Sequence, residues 1–181
     1  MNETLRDLTG LDRGQAEALV EALGQPRYRG RQLFRWVQAR RVRDLGAMSD
    51  LSRTLRESLR TTFRIGRPFV TKVQRAADGT RKLLLRLGDG EEVESVLIPD
   101  EDRLTACIST QVGCPLACRF CLTGLMGMRR NLTAAEIVGE VLALQDDVAP
   151  DERISNLVLM GMGEPLLNFA EVERAVRILC D

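Results

Sequence analysis

The stretch Leu104-Thr-Ala-Cys107-Ile-Ser-Thr-Gln-Val-Gly-Cys114-Pro-Leu-Ala-Cys118-Arg-Phe-Cys121 decides how this chain is read. Leu104 to Ser109 reads as a strand, and it runs directly into three thiols spaced C-x3-C-x2-C. Four of the five cysteines of the 181-residue chain lie in the fifteen positions from Cys107 to Cys121; only Cys180 stands apart. Downstream, Thr133-Ala-Ala-Glu136 is a capping box that starts a helix. Ile137, Val138, Val141, Leu142 and Leu144 form the expected buried side of that helix. Ile154 to Met160 is a second short apolar strand, ending in Gly161-Met-Gly-Glu-Pro165. Asn168 is expected to cap a last helix with Phe169, Val172, Val176 and Leu179 on one face. Strand, loop, helix, strand, loop, helix implies parallel βα pairing, which places ligands beyond the carboxyl ends of the strands. Both unusual motifs sit at such ends.

Upstream of the cysteines the period is different. Arg81 to Leu87 and Glu91 to Ile98 flank Gly88-Asp89-Gly90, a hairpin signal. Residues 1 to about 65 read as helical. Leu8, Leu11, Ala16, Leu19, Val20 and Leu23 make one stripe, closed by Gly24-Gln25-Pro26. A second helix spans about Arg29 to Arg40 with Leu33, Trp36 and Val37 inward, and a third carries Leu51, Leu55 and Leu59. The expected class is α/β, α+β overall. A helical accessory unit (1–65) is followed by a β-hairpin extension (66–103) and the first βα units of a partial barrel (104–181).

Composition bounds the chemistry. Hydrophobic residues make up 44% and charged residues 29%, with zero net charge, which fits a globular chain. The start MNETLRDLTG has no apolar signal core and no run approaches the length of a membrane span, so the expected location is the cytosol. There, clustered cysteines favour metal binding or catalysis over structural disulfides. The chain has no histidine, which excludes Ser-His-Asp and Cys-His nucleophilic sites and imidazole zinc sites. It also lacks a G-x-x-x-x-G-K-[ST] phosphate loop.

From Arg27 to Arg43 the chain carries seven arginines and no acid, with Tyr28, Phe34 and Trp36 between them. Guanidinium forks suit phosphates and rings suit bases, so this segment is a candidate RNA contact. The plain alternative is a solvated helix face whose aromatics sit in a small core; arginine supplies 24 of the 26 basic residues throughout the chain.

The thiols admit two metals. Cys107, Cys114, Cys118 and Cys121 could hold zinc, although zinc ribbons usually pair two knuckles from separate places in the chain. Three thiolates from Cys114, Cys118 and Cys121 could instead hold an iron–sulfur cluster with one iron left open for a ligand. For Cys180, with no partner motif, burial in the last helix is the plain reading. The C-x3-C-x2-C loop after a first βα strand resembles the signature of radical S-adenosylmethionine enzymes, in which that open iron chelates the methionine end of the cofactor.

More closely, the chain resembles the radical S-adenosylmethionine adenine-C2 methyltransferases of the RlmN type. The resemblance rests on Tyr28-Arg-Gly-Arg-Gln-Leu-Phe-Arg-Trp36, Val93-Glu-Ser-Val-Leu-Ile-Pro99, Ser109-Thr-Gln-Val-Gly-Cys114, Phe120-Cys-Leu-Thr-Gly124, Arg130-Asn-Leu132 and Gly161-Met-Gly-Glu-Pro-Leu-Leu-Asn168. It implies a 4Fe–4S cluster on Cys114, Cys118 and Cys121, and S-adenosyl-L-methionine contacted by Phe120, Gly163 and Glu164. It makes Cys107 the resolving cysteine and Glu94 the proton acceptor. Sharing a strand face with Val96 and Ile98, Glu94 could be buried by them and its acid raised, although Glu92 lies on the same face and strand glutamates are mostly solvated. In the family, a carrier cysteine near the carboxyl terminus is first methylated. A radical from a second cofactor molecule then activates that methyl group, and the carbon radical adds to adenine C2. The resolving cysteine attacks the carrier sulfur and leaves a disulfide to be reduced.

The implied partners are 23S rRNA, in some members tRNA, and an electron donor such as flavodoxin or ferredoxin; a monomer off the membrane is expected. This sequence departs from the family in ending before the carrier cysteine, for which Cys180 lacks the surrounding motif. It also has Met128 where phenylalanine is common. A partial barrel would expose apolar faces, and no complete turnover is expected of the chain alone. The sister activity that methylates adenine C8 and a zinc-stabilised RNA-binding module are the alternative readings.

Overall fold

A computed structural model of the chain describes residues 5–149 and 152–181; the first four positions of the expected helical region lie outside the described residues. In chain order its elements are β1 (Arg6–Asp7), α1 (Arg13–Ala22), α2 (Tyr28–Gln38), α3 (Arg53–Thr62), β2 (Phe63–Arg64), β3 (Phe69–Arg75), β4 (Arg81–Arg86), β5 (Glu92–Asp100), β6 (Arg103–Cys107), β7 (Gln111–Gly113), α4 (Leu122–Leu125), β8 (Met128–Asn131), α5 (Ala134–Asp146), β9 (Asn156–Val158) and α6 (Phe169–Cys180).

The amino-terminal helices form where the periodicity predicts them. Asp12 and Gln15 close a reciprocal capping box on α1, and the Ser52 hydroxyl accepts from the Leu55 N–H to start α3. Leu33, Trp36 and Val37 on α2 meet Val20, Leu51, Leu55, Leu59 and Phe63 in one apolar cluster. The first stripe differs from expectation at its end, because Leu23 lies past the last turn of α1 and is exposed. The Trp36 ring nitrogen donates to the Asp50 carboxylate. At Gly30 the helices α1 and α2 touch through backbone: a β-carbon there would lie 2.4 Å from Glu17 Cα.

The main sheet has five strands in the order β3-β4-β5-β6-β9. It is antiparallel through β6, and β6 pairs with β9 in parallel, Thr105 opposite Asn156 and Cys107 opposite Val158. A parallel neighbour needs a crossover, and α5 supplies it. Thr133 and Glu136 form the expected capping box. Ile137, Val138, Val141, Leu142 and Leu144 are all buried, in one cluster with Leu83, Leu85, Val93, Leu97, Leu104 and Ala106 of the sheet. That cluster covers one face of the sheet. On the other face, Glu94, Val96, Thr105, Cys107 and Val158 are only partly covered.

Two features of the last βα unit correct the sequence reading. Asn168 does not cap α6. Its side-chain amide donates to the carbonyls of Thr110 and Leu132, both at 2.8 Å, and a 3-10 turn over Pro165–Asn168 leads into the helix instead. The buried face of α6 is Val172, Ala175 and Ile178, with Leu179 partly buried beside them, while Phe169 and Val176 are exposed. Cys180, at the end of α6, is exposed rather than buried.

The close crossing at Gly30 gives a stability test. Gly30→Ala should destabilise the chain by about 1–3 kcal/mol, because the new methyl group meets backbone that cannot swing aside. Gly14→Ala, whose nearest neighbour would be a carboxylate oxygen at 3.4 Å, should be neutral or stabilising by up to about 1 kcal/mol. Thermal or urea denaturation of the two variants side by side reads the difference.

Candidate functional site

The chain leaving β6 does not turn away from its neighbour. Ile108 N–H donates to Val158 O at 3.0 Å, Gly161 N–H to Ile108 O at 3.0 Å, and Thr110 N–H to Met162 O at 2.8 Å. The Gln111 side chain accepts from Glu164 N–H at 2.9 Å and donates to Asn131 at 2.8 Å. The Gly161–Glu164 segment is therefore laced onto Ile108–Gln111, and the glycines are needed for that lacing. A β-carbon at Gly161 would meet the Ile108 carbonyl at 2.7 Å. One at Gly163, where φ is +101°, would meet the Gln111 β-carbon at 2.6 Å. The Glu164 carboxylate accepts from the Leu166 N–H, opening the 3-10 turn.

Beyond Gln111 the chain makes a short ribbon, with β7 antiparallel to β8. All three C-x3-C-x2-C cysteines lie in the loop between these strands. Gly113, at φ +78°, passes so close to Gly127 O that no side chain fits, and Cys114 N–H donates to the same carbonyl. Cys114 is buried, Cys118 and Cys121 are partly exposed, and Ala117 between them has φ +47°. The backbone N–H of Gly124 aims at Cys121 sulfur and, with help from Thr123, holds that thiol below its ordinary range. Apolar side chains on this loop face outward: Leu116, Leu122, Leu125, Met126 and Phe120, the last 94% exposed.

Cys107 and Glu94 share the half-open face of the main sheet. Cys107 stands opposite Val96, one pair away from Glu94 on that face. Burial raises the Cys107 thiol, the Met160 N–H directed at its sulfur opposes this, and Glu140 adds to the rise. Glu94 is not buried by Val96 and Ile98. The inward face of β5 is Val93, Ser95 and Leu97, so Ile98 is exposed and Glu94 forms an ion pair with Lys82 at 2.9 Å. Glu92 is held separately by Arg86 and Thr71.

Every cysteine is a free thiol, so the disulfide of the expected cycle has no pair in this chain. Among the described residues no three Cys, Asp or Glu side chains converge on a single metal-ion position. As a donor set, the 114–121 loop offers three thiols without a carboxylate, one of them biased toward thiolate by backbone N–H groups. That suits a thiophilic iron–sulfur group.

The arginine-rich segment is less free than its sequence suggests. Acids from elsewhere in the chain reach it: Glu17 holds Arg27 at 2.6 Å and Arg31 at 3.1 Å, and Asp146 of α5 holds Arg41, Arg43 and the buried Arg67. Arg40 lies over the Trp36 ring at 4.0 Å. Arg31, Arg35 and Arg41 line a groove between α2, α5 and the end of α6. No helix among the described residues is long and apolar enough to cross a membrane.

Comparison with known proteins first gives the class. The chain superposes on the crystal structure of a radical SAM methyltransferase from Sphaerobacter thermophilus with a TM-score of 0.89 and 40% identity, covering 97% of this chain and 52% of that one. Residues 6–65 match the family model "Ribosomal RNA large subunit methyltransferase N-terminal domain". Proteins named dual-specificity RNA methyltransferase RlmN are similar along almost the whole chain. The one from Halorhodospira halophila is 50% identical over 175 residues, 97% of this chain and 48% of its own length. The one from Geobacter sulfurreducens is 48% identical over 177 residues, 98% and 48% respectively. The chain is similar to the N-terminal portion of proteins named RlmN methyltransferase and spans about half the length of the relatives it matches.

Sequence reasoning did not single out Ser95, Ser109, Gln111 or Glu140, which build the floor of this site, nor the bridging role of Asn168. The available signal was polarity within apolar runs, above all Glu140 inside the buried stripe of α5. Asn168 offers a test. Asn168→Ala takes the side-chain donor from the Leu132 carbonyl, leaves the Thr110 carbonyl with the Leu132 N–H, and should cost about 1–3 kcal/mol. Asn168→Asp should be worse at pH 7 than at pH 4, because an ionised carboxylate cannot donate to either carbonyl whereas the protonated acid can donate to one. Melting curves at the two pH values check both.

Proposed function

We propose that this chain is the cluster-binding, resolving-cysteine portion of a radical S-adenosylmethionine methyltransferase that modifies C2 of adenine in 23S rRNA, and in tRNA as well. One observation carries the reading: beyond β6 the chain runs through Ile108–Gln111 and β7 into the C-x3-C-x2-C loop, with Ile108–Gln111 laced to the Gly-Met-Gly-Glu-Pro segment that leaves the parallel strand β9. The length-wide similarity to RlmN proteins supports it. The β6-α5-β9-α6 run would then be the opening of a radical SAM barrel, the residues before about 66 an accessory unit toward RNA, and a flavodoxin- or ferredoxin-like protein the electron donor.

In this reading Cys114, Cys118 and Cys121 hold a 4Fe–4S cluster. When bound, that cluster supplies the electron for reductive cleavage of S-adenosylmethionine. The chain's own residues have separable tasks. Gly163 and Glu164 present backbone and carboxylate beside the cofactor, where Glu164 can accept from an ammonium group. Phe120 is free to fold over a ligand seated in the loop. Glu94, reachable from the open side of the sheet, takes the proton from the adenine carbon. Once the carrier cysteine's methylene carbon is bonded to adenine C2, Cys107 attacks the carrier sulfur, so that a disulfide forms as the carbon–sulfur bond breaks and the methylated base leaves. The Cys107 thiol must lose a proton first, and burial makes that loss harder than for an ordinary cysteine.

Anaerobic reconstitution of the chain with iron and sulfide tests this reading. It should give a visible 4Fe–4S absorbance band that changes when S-adenosylmethionine is added. Cys118→Ala should lose the band, and Cys107→Ala should keep it. One tightly held zinc per chain and no such band would overturn the reading in favour of a zinc-stabilised RNA-binding module.

A further inference from the structure

Glu140 is an acid in the middle of the apolar face of α5 and is completely buried. Its Oε2 accepts from the Ser95 hydroxyl at 2.6 Å and from the Ser109 N–H at 3.0 Å. Its Oε1 is buried with no partner among the described residues. The Ser109 hydroxyl in turn donates to the Glu94 carbonyl at 2.7 Å and accepts from the Met162 N–H at 2.9 Å. One carboxyl oxygen thus joins β5, the end of β6 and, through Ser109, the segment after β9. Those three stretches carry Glu94, Cys107 and Gly163–Glu164.

We propose that Glu140 is a positioning residue, whose doubly bonded Oε2 fixes the offset between β5 and the end of β6 and thereby the places of Glu94, Cys107 and the Gly161–Glu164 segment. The catalytic meaning of those places rests on the function proposed above; the clamp itself stands on geometry.

Burial favours the protonated form of the clamp over the ionised one. Two donors already point at Oε2, so a proton on the acid sits on Oε1. The ionised form would bury a charge with no cation beside it, since the other titratable groups facing it are Glu136 on its own helix and Cys107 on β6. Burial accordingly pushes the Glu140 acid up to about 8. The folded chain keeps a proton that an unfolded glutamate loses near 4.5. The stability Glu140 contributes is therefore full below that pH and falls away as pH rises toward about 8. Glu140 and Cys107 also oppose each other's ionisation.

The test uses the intact chain as wild type, Glu140→Gln and Glu140→Ala, with two readouts between pH 5 and 9 that require no turnover. Melting temperature reads the clamp, and alkylation of Cys107, resolved by peptide mass spectrometry, reads the coupling. Glutamine reproduces the protonated acid, so Glu140→Gln should melt with wild type at pH 5 and above it at pH 9. Its Cys107 should be alkylated several-fold faster than wild type near pH 8, because no neighbouring carboxylate opposes the thiolate. Glu140→Ala should melt below both at every pH. The proposal is overturned if Glu140→Gln melts as low as Glu140→Ala, or if it matches wild type in both readouts across the range. Neither result depends on whether the cysteine loop binds iron, so failure of this proposal is distinguishable from failure of the cluster reading.

Discussion

Three parallel rungs between β6 and β9 set the position of everything else near the site. A parallel neighbour can only be reached through a crossover, and the crossover helix α5 closes one face of the sheet while leaving the other open. Past the rungs, both chains continue side by side without regular pairing, so their backbone groups must find partners individually. Ser109, Gln111 and Asn168 provide them, and glycines at 161 and 163 remove the side chains that would keep the two segments apart. The polar residues of this region thus act mainly as a scaffold for the cysteine loop and for the open face that displays Cys107 and Glu94.

Elements with a strong local signal were legible in the sequence. The Gly88-Asp89-Gly90 turn lies between paired strands, Thr133 and Glu136 cap α5, and the apolar stripes of α2 and α5 are buried as their spacing requires. What escaped depends on distant partners. Strand β3 alternates into solvent on an edge, and Lys72 and Gln74 weaken its pattern although Asp78-Gly79 marks the turn after it. The β7–β8 ribbon is short and arginine-bearing, and it exists because it closes the thiol loop. Asn168 reads locally as a helix cap, but two carbonyls far away in sequence claim its amide instead. Alternation along β5 groups Glu94 with Val96 and Ile98 but does not say which side the helix covers, so the exposure of Glu94 could not be read from it.

The arginine-rich segment shows the same limit in electrostatics. Read alone, Arg27–Arg43 is a block of positive charge. In the fold, Glu17 and Asp146 each gather two or more of its guanidinium groups or those of Arg67. Asp146 sits at the end of α5, so its ion pairs join the helical unit to the sheet's covering helix. Pairs made by the mostly exposed Arg27, Arg31 and Arg43 add little to stability, unlike that of buried Arg67, yet together they fix which guanidinium groups remain available to a phosphate.

The loop that carries the three thiols is pinned at both ends by β7 and β8, with Gly113 and Cys114 held against Gly127. The chain between those anchors resembles an Ω-loop. Most of the entropy of bringing its ends together has been lost before any guest arrives. Its interior can therefore reshape itself through a few backbone torsions while the sheet keeps its register. Accommodation of a bulky inorganic guest would be a local event, mechanically insulated from the rest of the molecule.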